Sequence, residues 1–103
     1  MAESADERIL QKIRSAEHLV VYFSTPTCNV CKVLRPKVEG LVAERDGIDF
    51  LYVDSSLHPT VAGQHVVFAV PTIVFYMEGR EMRRFSRNLY LDDFSRSLDH
   101  LRP

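Results

Sequence analysis

Two cysteines, Cys28 and Cys31, are the residues best suited to chemistry in this chain of 103, and they stand three positions apart. A bridge between them closes a loop so small that it restrains the unfolded chain little, so stapling explains the pair poorly. Reactivity explains it better. The turn-forming Ser24-Thr25-Pro26-Thr27 precedes the pair and a helical pattern follows it. That arrangement sets the Cys28 sulfur among the unpaired N–H groups at the positive end of a helix, where thiolate is favoured over thiol. Cys31, one turn further in and less exposed, lies within reach. Cys28 would then attack a partner's disulfide and Cys31 would resolve the mixed disulfide, leaving the two bridged and the partner reduced. Lys32 adds a neighbouring cation with a modest effect.

Two blander readings stand beside this one. A zinc site needs four ligands, and the other candidates, His18, His58, His65 and His100, lack the usual histidine-pair spacing. Inert buried thiols are the second, since free cysteine packs as a small hydrophobe. The place at a helix start argues against that for Cys28 more than for Cys31.

The elements that must position this pair are legible in the apolar spacing. Ser4 and Glu7 have capping-box spacing, and Ile9, Leu10, Ile13 and Ala16 recur with helical period, predicting a helix over 4–17. The unbroken run Leu19 to Phe23 suits a central strand covered on both faces. Val30, Leu34, Val38 and Leu41 mark a helix ending near Ala43, interrupted by Pro36, which should kink it. Residues 48–53 read as a strand after an Asp46-Gly47 turn, and Pro59 opens a short helix over 59–66. Strand 72–77 follows Val70-Pro71, and Glu78-Gly79 turns into an edge strand over 81–86. Phe94, Leu98 and Leu101 mark a final helix, with Asp92 and Asp93 at its positive end. The order α-β-α-β-α-β-β-α predicts an α/β fold: one domain over 1–103, with two parallel crossovers and a hairpin building a mixed four-stranded sheet with helices on both faces.

Composition narrows the function. Hydrophobic residues make up 46% of the chain, enough for one core, and the formal charge is −1 with both signs interspersed. No basic tract recommends nucleic acid and no apolar run is long enough for a membrane span. Residues 1–17 carry charges throughout, unlike a secretory signal, so the cytoplasm is the expected location, where disulfides are usually transient. His58 and His65 read as solvated surface, and Phe68 as packed beneath its loop. Arg80, Arg83, Arg84 and Arg87 read as a solvated edge that resists strand pairing. Pro71, on composition alone, is a trans proline at a strand start.

Taken together, Leu19-Val20-Val21-Tyr22-Phe23, Cys28-Asn29-Val30-Cys31-Lys32, Pro36, Val70-Pro71-Thr72 and Glu78-Gly79 occur in thioredoxin order and spacing. The chain resembles the thioredoxin family from about residue 18 to its end. The resemblance implies a thioredoxin fold lacking its usual first strand, which would leave strand 48–53 at a sheet edge. It implies a cis Pro71 facing the dithiol, with the backbone of Val70 pairing with the substrate chain like an added strand. Thr27, where the family usually has Trp, joins Val70 and Pro71 as an expected substrate contact. Glutaredoxins share the dithiol and Val-Pro, but the Gly-Gly stretch that helps hold glutathione is absent after Thr72.

The departures carry chemical meaning. Asn29-Val30 replaces Gly-Pro, Tyr22 aligns with a buried aspartate, Phe50 with its partner lysine, and Ser86 with a glycine near the active site. The aspartate is thought to help take the proton from the resolving thiol; a tyrosine, with a reference pKa of about 10, cannot do so at neutral pH. The resemblance implies a reductase of protein disulfides with no bound cofactor, fed by NADPH through a thioredoxin reductase, as a monomer or a weak edge-strand dimer. A non-catalytic binding module using the Pro71 groove, or a redox sensor, is the alternative.

Overall fold

A strand covered by protein on both faces of the sheet organises the computed structural model, which describes residues 4–101. This is β1 (His18–Ser24), in which Leu19 to Phe23 are all fully buried. Successive side chains of a strand point to opposite faces. Leu19, Val21 and Phe23 accordingly enter one core with Leu10 and Ile13 of α1 (Ala5–Ser15) and Val61 and Ala62 of α3 (Pro59–Gln64). Val20 and Tyr22 enter a second with Val38 and Val42 of α2 (Asn29–Ala43) and Phe94 and Leu98 of α4 (Leu91–Leu101). Each fully buried aliphatic or aromatic side chain is worth about 1.5–3 kcal/mol, so these two cores are what hold helices on both faces.

The remaining strands are β2 (Asp49–Asp54), β3 (Thr72–Met77) and β4 (Arg80–Phe85), and the described residues form one sheet in the order β2-β1-β3-β4. The predicted element order is the observed one. The expectation of two parallel crossovers is corrected: β1 pairs with β2 in parallel, but β3 is antiparallel to β1 and to β4. The reason is length. Six helical residues rise about 9 Å, whereas a six-residue strand spans about 20 Å, so α3 is too short to carry the chain back to the far end of the sheet. The chain re-enters at the end where β2 left it and runs the other way.

Local details follow the sequence closely. Ser4 caps α1, its hydroxyl accepting the Glu7 N–H at 3.1 Å. Helix α2 continues through Pro36 to Ala43. Glu78 and Gly79 both take positive φ, 51° and 83°, as a two-residue hairpin turn requires. A Cβ on Gly79 would come within 3.1 Å of the Arg14 carbonyl oxygen, so glycine serves the close approach of α1 as well as the turn.

Two of the hairpin arginines, exposed as the sequence led one to expect, also make contacts that the sequence does not show. Arg83 reaches α4, pairing with Asp93 at 2.7 Å and donating to the Ser97 hydroxyl. Arg84 spans to the loop after α3, described below. Arg45, beyond the end of α2, donates to Asp99 at 2.8 Å and to the Ser95 hydroxyl at 2.7 Å, tying α2 to α4. An alternating strand pattern says which face a side chain takes, not which helix meets it.

Helix α4 depends most on Phe94, fully buried edge-to-face against Phe85 with centroids 5.2 Å apart. Phe94→Ala is expected to destabilise by about 3–5 kcal/mol, read as a lowered midpoint of urea unfolding with the slope unchanged.

Candidate dithiol site at the start of helix α2

The exit of β1 is held before the chemistry begins. The Ser55 N–H donates to the Ser24 carbonyl at 2.8 Å, joining the ends of β2 and β1, and the Cys28 N–H closes a turn onto the Thr25 carbonyl at 3.2 Å. Thr27 is exposed on that turn. Cys28 is the N-cap of α2, in extended conformation, and its sulfur accepts the Cys31 N–H at 3.2 Å. Cys28 and Cys31 are bridged, with Cα atoms 5.2 Å apart. Cys28 is half-buried, whereas Cys31 is only 2% exposed. The two sulfurs are thus chemically unequal. One caps the helix within reach of solvent, and its mate lies behind it in the core shared by α2 and α4.

Beneath that mate lies Tyr22. Its buried hydroxyl donates to the Cys31 carbonyl oxygen at 2.9 Å, fastening the first turn of α2 to the central strand. The Tyr22 ring stacks on Tyr52 at 6.2 Å, and the Arg35 guanidinium carbon sits 3.9 Å from the centroid of Tyr52. Burial, seconded by Tyr52 and opposed by Arg35, pushes the Tyr22 phenol up to about 12. It stays protonated at neutral pH and holds the site by geometry, not by accepting a proton. Cys31 also lines a cleft of 210 Å³ with Lys32, Arg35 and Tyr52.

The second approach to the site is the loop 65–71. The Val70–Pro71 peptide is cis and Pro71 is buried. The Phe23–Thr72 pairing brings Pro71 out of the sheet at the end where β1 leaves for the dithiol. Val70 is half-buried and packs, like Cys28, on the core that contains Cys31. The Thr72 hydroxyl donates to the Ala69 carbonyl at 2.7 Å. Ser86 is exposed and its carbonyl accepts the Leu89 N–H at 3.1 Å, turning the chain toward α4.

Arg84 clamps this loop. From β4 it donates to the carbonyls of His65 and Val66, both at 2.7 Å, while Glu81 accepts two more of its N–H bonds at 3.0 and 2.8 Å. Val66 holds φ at 58°, a region β-branched residues rarely enter, so its carbonyl is fixed where the guanidinium meets it. Nothing in the sequence reading pointed to this role. Two surface readings and one reading of burial are also corrected. His58 is half-buried, its Nδ1 2.6 Å from Asp6 across α1 and α3. His65 is half-buried, its Nδ1 2.8 Å from the Val61 carbonyl, with its ring against Phe23 and Tyr76. Phe68 is 85% exposed, because the loop turns Val67 inward and Phe68 outward.

Two outcomes follow from these contacts. Tyr22 and Tyr76 both have phenols raised to about 12, chiefly by burial, against about 10 in an unfolded chain. Each proton is held more tightly in the folded state, so this contribution to stability is full below pH ~10 and lost as pH rises through ~12. Urea midpoints should fall across that window and the fall should shrink in Tyr22→Phe, which also loses about 1 kcal/mol at neutral pH with its hydrogen bond. Arg84→Ala should raise amide exchange across 66–70 by about tenfold or more while β1 stays protected, and Arg84→Lys should not restore protection, lacking the planar fork.

Comparison with known proteins agrees with this geometry. The family model for thioredoxin matches residues 1–100. Thioredoxin of Chlamydia trachomatis serovar D is 32% identical over 80 residues, 78% of each chain. Among solved structures, thioredoxin 1 of Thermosipho africanus is 29% identical with a TM-score of 0.74, over 80% of this chain and 91% of that one. Fasciola hepatica thioredoxin is also 29% identical, with a TM-score of 0.76, over 91% and 88%.

Proposed function

The chain belongs to the thioredoxin family and is a thiol–disulfide oxidoreductase, and from that premise we propose that it reduces protein disulfides with Cys28 attacking and Cys31 resolving. The observation that carries this assignment of roles is the inequality of the two sulfurs, one capping α2 at a half-buried position and the other sealed behind it.

In the reduced protein, the Cys28 thiolate is favoured by the helix N-terminus and by the Cys31 N–H aimed at it. It attacks one sulfur of a partner disulfide. A Cys28–partner bond forms, the partner's S–S bond breaks, and the partner's first sulfur departs as thiolate and takes a proton from solvent. Cys31, having lost its own proton, then attacks the Cys28 sulfur. The Cys28–Cys31 bond forms, the mixed disulfide breaks and the second partner sulfur leaves. Two electrons have passed from the dithiol to the partner, leaving the bridged state of this structure. The proton of Cys31 goes to water or to the departing partner thiolate, because Tyr22 is itself protonated.

Thr27 borders the attacking sulfur, and the Val70 backbone ahead of Pro71 aligns the substrate chain as an added strand. Residues 1–103 work as one thioredoxin-like domain. Electrons return from NADPH through a thioredoxin reductase, and no cofactor is bound. A reducing compartment, the cytoplasm, suits a chain whose two cysteines form this one pair; among the described residues no helix is long and apolar enough to cross a membrane.

Insulin reduction in dithiothreitol is the first test. Wild type is expected to precipitate insulin chains well ahead of dithiothreitol alone, and Cys28→Ser to give no acceleration. Cys31→Ser should accumulate mixed disulfides with substrates. A wild-type rate equal to dithiothreitol alone, with an empty Cys31→Ser trap, would overturn the reductase and favour the binding module.

A further inference from the structure

The two residues between the cysteines, Asn29 and Val30, also line a groove of 490 Å³ between the first turns of α2 and the segment leading into α4. Its walls and floor are aliphatic. Val30 and Val33 are 38% and 62% exposed, and Leu34 and Leu91 lie half-buried behind them. Neither valine is among the buried residues of α2, which are Cys31, Val38 and Val42, with Leu34 and Leu41 packed against the same core. Two cations, Lys37 and Arg87, complete the lining, and no carboxylate joins them.

Among the described residues these two cations, like Arg14, Lys32 and Arg80, have no carboxylate within 4.0 Å. Arg35, Arg45, Arg83, Arg84 and Arg96 all have carboxylate partners within 4.0 Å. Lys37 and Arg87 are exposed and have no hydrogen bond or ion pair among the described residues. In a chain of net charge −1, an aliphatic groove rimmed by unmatched positive charge is thus lined by the two residues that follow the attacking cysteine.

We propose that this groove selects the substrate: it receives an aliphatic side chain, flanked by Asp or Glu, from the protein segment that carries the target disulfide. This rests on the reductase reading above and adds its specificity. The aliphatic side chain gains by leaving water against Val33 and Leu91, and the flanking carboxylates meet Lys37 and Arg87. Because Asn29 and Val30 belong to both the groove and the dithiol turn, a segment seated there has its neighbouring disulfide beside Cys28. A basic segment is rejected by like charge.

The test uses synthetic peptides of equal length, each carrying one intramolecular disulfide next to Leu-Glu-Glu, Leu-Lys-Lys or Ser-Glu-Glu. Their reduction is compared with that of neutral 2-hydroxyethyl disulfide. At low salt, wild-type kcat/KM should favour Leu-Glu-Glu over Leu-Lys-Lys by about tenfold or more, and over Ser-Glu-Glu severalfold. The charge preference should collapse at about 1 M salt, where the screening length is about 3 Å. Lys37→Glu with Arg87→Glu should invert the order of the two charged peptides, a ratio read within one folded protein. Equal turnover of the three peptides, or a preference that survives the double reversal, overturns the groove. Failure of wild type on every disulfide, the small neutral one included, overturns the reductase instead.

Discussion

The burial of β1 on both faces is the constraint on which the site depends. A strand with solvent on one side could shift by a residue with little loss. Here a one-residue slip would exchange Leu19, Val21 and Phe23 for Val20 and Tyr22 across two cores of different shape. The register of β1 is therefore strongly determined, and with it the level at which the chain leaves the sheet at Ser24. Four residues later Cys28 caps α2, so the position of the sulfur is set by packing well away from it. β3 inherits the same reference, since Thr72 pairs with Phe23 and Pro71 emerges beside the exit of β1. Both approaches to the dithiol are measured from one strand.

What could be read in the sequence was what local spacing encodes. The run Leu19 to Phe23, the helical stripe after Val30 and the Glu78-Gly79 turn each state their own structure, and all three stand as expected. The direction of β3 was misjudged because it depends on how far a short helix can carry the chain. The contacts of Arg83 and Arg84, and the half-burial of His58 and His65, have no local signature because their partners lie far along the sequence or are backbone carbonyls. A carbonyl has no sequence signature. Arg84 reaching Val66 and His65 depends on the sheet, the hairpin and the left-handed turn at Val66 all being in place. Phe68 failed for another reason: an aromatic in a loop was credited with burial, whereas the loop had Val67 for that.

Tyr22 joins the fold to the chemistry, and its replacement of an acid is consistent in physical terms. A carboxylate at this fully buried position would need a cationic partner; Phe50, whose ring lies 6.3 Å from that of Tyr22, supplies none, and Arg35, the cation felt there, is held over the Tyr52 ring. The effective penalty for an unpaired buried ion is several kcal/mol, so an acid beneath Cys31 would be protonated or costly here. A phenol avoids that penalty and spends its one donor on the Cys31 carbonyl. The exchange has two consequences for the resolving thiol. It loses a nearby base, which slows proton removal. It also loses a nearby negative charge, which would have disfavoured its thiolate by like-charge repulsion. These act in opposite directions on the resolving step. In the proposed mechanism the neutral tyrosine therefore does not abolish the chemistry of Cys31, whose proton goes to water or to the leaving sulfur. The buried phenol, unionised until well above the reference value, keeps the turn that carries Cys31 anchored while that transfer takes place.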